Sequence, residues 1–247
     1  MDKYHLCIST QCQVYKPPKN KNKNVQKAIK ATSNIILTYE NQPINAFYHG
    51  SNGGLSATAG ESWQIQDYSY FNSIIDGSKS LNKIFKLPIT SESDLNNFLD
   101  FDKEQFYGSS HSLFRWSKKI SSLEIKEKLI KNGLINSNEN VLGLNSLERG
   151  PSGRVTKLEI HTNKVNKSIV LVKDDIRRVL SFIPSNLFTI NKLSDDLWLL
   201  RGGGFGHGVG LSQSGAIEMA KLGFSYEQIL NHYYRNAKVK KIEILSQ

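Results

Sequence analysis

Long apolar runs are missing from this chain of 247 residues; none approaches the roughly 18 residues that a membrane-spanning helix needs. Cysteine is nearly absent, with only Cys7 and Cys12, which excludes a disulfide-stapled scaffold. Acidic residues are few beside basic ones, 22 against 32, leaving a net charge of +10. That surplus favours polyanions as partners: nucleic acid, anionic lipid or acidic wall polymers. The basic residues are dispersed, however. Their one cluster, YKPPKNKNKNVQK at 15–27, mixes lysine with asparagine and proline and reads as a solvated loop. No nucleic-acid-binding motif accompanies it, so no nucleic-acid partner is expected. The start, MDKYHLCIST, lacks a basic segment followed by an apolar one, and no signal peptide is expected within it.

What the chain does have is glycine concentrated in one place. RGGGFGHGVGLSQSGA, 201–216, holds seven of the 18 glycines around a single histidine, His207. Three familiar explanations fail on spacing. Glycines at 204, 206, 208 and 210 do not make the G-x-G-x-x-G of a dinucleotide site. The stretch ends Gly215-Ala216 where a P-loop requires Gly-Lys-Ser/Thr, and Ser212 is followed by Gln213-Ser214 where a nucleophile elbow requires x-Gly. A second loop, GSNGGLSATAGESW at 50–63, is also glycine- and serine-rich and follows His49 at a strand end. Functional groups commonly sit on such loops held by a rigid sheet.

Periodicity predicts an α+β fold, mostly antiparallel sheet with interleaved helices and a small inserted subdomain at about 88–140. Helices are expected near 25–32, 90–101, 122–133, 174–183 and 212–222, and Ser225 and Gln228 have capping-box spacing. Strand pairs are expected on either side of Glu40–Gln42, of Asn163, and within LFTINKLSDDLWLLRGGG.

Single residues each carry two readings. His207, flanked by glycines, either faces a cleft as a catalytic group or ties its loop together. His49 and Ser51 divide evenly between loop anchoring and ligand contact. Ser212 and Gln213 stand at a helix start whose free N–H groups can hold ligand oxygens, Ser212 being equally a plain N-cap. Arg201 is either a carboxylate contact or a surface ion-pair partner. Glu61 is either a catalytic carboxyl or an exposed loop carboxylate. Trp63 and Trp116 are either stacking surfaces or core, and His232 is expected to pack against the body. Cys7 and Cys12 allow a local disulfide, which is the preferred reading, two inert thiols, or a zinc site with His5 that is one ligand short; no other cofactor is expected.

Several blocks, in order, then resemble one family. GGGFGHGVGLSQSGAIEMAKLGFSYEQILNHYY, 202–234, resembles the C-terminal signature of the SpoIID/LytB family of bacterial cell-wall proteins, with Leu211 for its methionine and Ser214 for its tyrosine. CISTQCQVY, FYHGSNGGLSATAGESW, FRWSKKIS, GRVTKLEI and IRRVL resemble its earlier blocks. The resemblance covers nearly the whole chain. It implies peptidoglycan chemistry, either as a lytic transglycosylase that cuts glycan strands or as a noncatalytic, amidase-enhancing wall module. The implied partners are glycan strands and a wall amidase, in the cell envelope. Such a cut needs a general acid for the glycosidic oxygen and a base for the sugar 6-hydroxyl. The family's essential acid lies upstream of the cysteine segment, and this chain looks to lack that N-terminal part. No residue here inherits the role by motif, and Glu61 stands as the substitute.

Overall fold

The computed structural model describes residues 22–164 and 168–242. Two units divide them. The smaller comprises residues up to Ile36 and from Val239 onward. It holds the helix Lys23–Ala31, opened by Asn22, whose side chain accepts from Asn24 and Val25 N–H, and Ile242 N–H bonds to the Asn34 carbonyl. The apolar side chains of Val25 and Ile29 on this helix are exposed.

The larger unit, Leu37–Lys238, carries two three-stranded antiparallel sheets. In one, the strand Leu197–Gly202 lies between Trp116–Ser121 and Phe188–Ser194, antiparallel to both. In another, Val155–Thr162 lies between Val141–Arg149 and Ser168–Val172, again antiparallel. The expected alternation is visible along Val155–Thr162, where Leu158 and Ile160 point inward and Lys157 outward. One expectation needs correction. The hairpin turning at Glu40–Asn41 pairs Thr38 with Pro43 and Tyr39 with Gln42, and stops there. Tyr48–His49 instead pairs in parallel with Leu211–Ser212, matching Tyr48 to Leu211 and His49 to Ser212.

Helix boundaries follow local chemistry. Ser91 caps Glu92–Asp100, Ser121 and Glu124 form a capping box on Ser122–Lys131, and Ser225 with Gln228 does the same on Tyr226–Tyr233. Gly133 and Gly223 follow their helices with φ of 69° and 89°, the left-handed geometry of a helix stop.

Three buried apolar clusters hold this unit together. Ile120, Ile125, Leu129, Leu158, Trp198 and Leu200 join the two three-stranded sheets to the helix Ser122–Lys131. Leu55, Leu95, Phe98, Phe106 and Leu187 form a second cluster under the helix Glu92–Asp100. A third gathers Ala57, Phe71, Val209, Met219 and Tyr233 beneath the two glycine-rich loops. The stretch 88–140 thus shares its cores with residues from outside it. At about 25 cal/mol per Å² of apolar area removed from water, these clusters are what hold the loops above them in place.

Candidate functional site

The two loops singled out in the sequence are laced to each other by backbone bonds. Ser51 and Phe205 exchange both N–H···O bonds, at 3.1 and 2.7 Å. Ala57 N–H reaches the Gly208 carbonyl at 2.8 Å, and Ser214 N–H the Gly50 carbonyl at 3.0 Å. The glycine content follows from this closeness. Gly208 has φ of 84°, and a Cβ there would lie 2.4 Å from Cζ of Arg154; Gly210 has φ of 71°, and a Cβ there would lie 2.1 Å from the Phe47 carbonyl oxygen. A side chain at either place meets both a backbone penalty and a collision.

His49 and His207 face each other across this seam, ring centroids 5.2 Å apart. His49 is 5 % exposed. Its Nδ1 lies 3.1 Å from the Val209 carbonyl, so in the neutral ring Nδ1 carries the proton. Nε2 is then a buried acceptor with no hydrogen-bond partner. His207 is the opposite tautomer: its Nδ1 accepts from Val209 N–H at 3.1 Å, and its Nε2 donates to the Tyr48 carbonyl at 3.0 Å. Both of its ring nitrogens are thus committed within the loops. Burial, then the charge of Arg177, lowers His207 to about 4. Burial, followed by His207 and Arg154, holds His49 well below the usual histidine value. Trp63 packs on His207 at 4.8 Å and on Phe47 at 4.9 Å.

Glu61 is buried, 4 % exposed, rather than the exposed carboxylate that base rates suggest. Its Oε1 accepts from Ser152 N–H at 2.9 Å and Ser152 Oγ at 2.6 Å; its Oε2 accepts from Thr58 N–H at 2.7 Å and Ser73 Oγ at 3.3 Å. Arg154, 1 % exposed, shares Ser152 Oγ with it and donates to the carbonyls of Leu55 at 2.8 Å and Asn52 at 3.0 Å. Burial lowers the guanidinium to about 10, while Glu61 pulls it upward, so it remains a cation at neutral pH. Next to Glu61, Ser62 Oγ donates to the His207 carbonyl at 2.9 Å, joining this polar hub to the histidine loop.

A second buried hub centres on Asp76, fully shielded from solvent. It accepts from Asn52 Nδ2 at 2.7 Å and Tyr233 OH at 2.9 Å, and meets His232 Nε2 at 2.8 Å. Burial and the neighbouring carboxylate push the Tyr233 hydroxyl far above its usual range. Ser212 is an N-cap, its Oγ accepting from Gly215 N–H at 3.3 Å and Asn52 N–H at 3.4 Å. Ser51 is buried, whereas Gln213 is exposed at the helix start.

Arg201 lies on the strand leading into the glycine stretch and pairs with Asp100. With Leu99, Arg115, Trp116, Ser117 and Gly202 it lines an open depression of about 260 Å³. Trp116 also packs against Phe188. His5, Cys7 and Cys12 lie outside the described residues. Among the described residues no group of three or more His, Cys, Asp or Glu is placed to hold a metal ion, and no helix is long and apolar enough to cross a membrane. Arg154, Ser152 and Asp76 are what sequence reasoning missed. The one available signal was Arg154 heading an alternating apolar strand, where a lone guanidinium needs buried acceptors.

Comparison with known proteins places these blocks. A family model described as a domain of unknown function, DUF8618, matches residues 57–210, and the Stage II sporulation protein model matches residues 1–39. The amidase enhancer of Bacillus subtilis is 24 % identical over 240 residues, covering 86 % of this chain and 32 % of that protein. Stage II sporulation protein D of Bacillus amyloliquefaciens is 27 % identical over 228 residues, covering 90 % of this chain and 52 % of that protein. The chain therefore spans about a third to a half of the length of these curated relatives. Through residues 57–210, more than half of its length, the chain belongs to the DUF8618 domain family, and it is similar to proteins of the SpoIID/LytB family.

Proposed function

We propose that this chain is a peptidoglycan-binding domain of a bacterial cell-wall protein that serves sporulation or amidase enhancement, and that its two laced loops hold a glycan strand. The observation that carries this reading is the meeting of His49 and His207 at 5.2 Å on backbones bonded to each other. Rigid loops with few side chains give a bulky polysaccharide close access to backbone donors and acceptors. Exposed Gln213 supplies hydrogen bonds for sugar hydroxyls, and Arg201 offers a cation. His49, Ser51 and Ser212 support the surface from beneath. The wider setting is the cell envelope, with a wall amidase as protein partner.

The geometry favours binding over cutting by these residues. A general acid must hold a proton it can give to the glycosidic oxygen. Glu61 instead accepts four hydrogen bonds, and the Nε2 proton of His207 is held by the Tyr48 carbonyl. A second reading, lytic transglycosylation, is favoured by the Stage II sporulation protein match over residues 1–39. In that reading the acid is a residue other than Glu61, and His207 positions the loop. His5, Cys7 and Cys12 belong to that matched segment.

The test is incubation of the protein with purified sacculi and with glycan strands freed of stem peptides. Binding is expected as retention on both, without soluble product. Release of anhydro-muramyl sugars would establish the lytic reading instead. Absence of retention on either material, with retention on heparin, would overturn both.

A further inference from the structure

Of the aromatic residues on the two loops, Phe205 is placed unlike the tryptophans first considered for stacking. It is 47 % exposed, though its own N–H and carbonyl are both bonded to Ser51. The ring is thus held half in water by a backbone bonded on both sides. The ring also has a built seat. A Cβ on Gly50 would lie 2.9 Å from Phe205 Cδ1, so one side of the ring rests where only a glycine fits. The imidazole of His111 lies beside it, centroids 6.2 Å apart and planes within 20°. The two segments are tied together by Gly204 N–H to the Leu113 carbonyl at 2.8 Å.

His111 adds a directed donor. Its Nδ1 accepts from Leu113 N–H at 3.1 Å, which puts the proton of the neutral ring on Nε2. Among the described residues no acceptor meets that Nε2. Trp63 differs, because its ring is taken up by Phe47 and His207, and Trp116 is packed on Phe188.

We propose that Phe205 and His111 form a stacking platform for one pyranose ring, Phe205 meeting its C–H face and His111 Nε2–H donating to an N-acetyl carbonyl or hydroxyl. The ligand class is a β-linked, N-acetylated hexosamine polymer, and the inference rests on the glycan reading given above. Aromatic faces bind flat apolar surfaces with little entropy cost, and one polar group fixes the orientation.

The experiment titrates the full chain with stem-peptide-free glycan strands, comparing wild type with F205A, F205W and H111A. Expected results are a Kd at least tenfold weaker for F205A, near wild-type binding for F205W, and about threefold weakening for H111A. Circular dichroism confirms folding, and in the wild-type protein the His111 ring resonances should shift on titration. If the wild type binds and F205A binds within twofold of it, the platform is wrong while the glycan reading stands. If F205A keeps glycan affinity but no longer stimulates a wall amidase, Phe205 is a protein contact and the proposal is overturned. If the wild type binds no glycan, the glycan reading fails and the platform with it.

Discussion

The Arg154 guanidinium lies so close under Gly208 that a Cβ there would sit 2.4 Å from Cζ. One residue back, the His207 ring is held by Val209 N–H and the Tyr48 carbonyl, so the buried cation and the histidine turn are fixed as a unit.

Gly208→Ala meets that contact and a φ of 84° together, so a loss of about 2–4 kcal/mol in urea unfolding is expected. Gly223→Ala is the control. Its φ is 89°, but nothing lies within 4 Å of the added Cβ, so only the backbone cost of about 1 kcal/mol applies. Equal losses at the two positions would refute the packing account.

Glu61→Gln keeps the shape of the side chain but turns an NH2 toward donors and leaves Arg154 without its nearby anion. A loss of about 3–5 kcal/mol is expected in equilibrium unfolding. Full stability in this variant would show that the carboxylate is kept for chemistry and not for structure.

Acid should loosen the histidine seam. Both histidines are lowered in the folded state, so the unfolded chain binds their protons first. The His207 contribution is intact above about pH 6.5 and is lost as pH falls toward about 4, by up to about 1.4 kcal/mol per pH unit, and burial of His49 acts in the same direction. Ring resonances of His207 followed by NMR should stay neutral down to about pH 5. A midpoint near 6.5 would contradict the burial.

Tyr233→Phe removes one donor to buried Asp76 and leaves Asn52 and His232 in place. The expected cost is about 1.5–3 kcal/mol, the range for a hydrogen bond to a charged group, read as a lower thermal midpoint. An unchanged midpoint would mean that the hydroxyl contributes nothing net to holding Asp76.

Much of the framework is legible in one dimension. Caps at Ser91, Ser121, Ser212 and Ser225 depend on partners three residues away, and the alternation of Val155–Thr162 depends on neighbours along the same strand. The strand Val141–Arg149 was not legible, because register shifts between Val141 and Gly143 and between Ser146 and Glu148 break its two-residue period. Nor was the true partner of Tyr48–His49, since a two-residue strand carries no periodicity to read.

By itself, the sequence determined the α+β character, the helix ends, the kinship and the fact that the glycines of 203–210 lie in a loop. Those features arise from contacts a few residues apart or from patterns that need no geometry. Only the tertiary structure decided that His49 meets His207, that Glu61 is buried among four donors, and that Phe205 is held out in water. Each of these depends on pairing segments up to about 160 residues apart, where burial and the satisfaction of every polar group choose the partner.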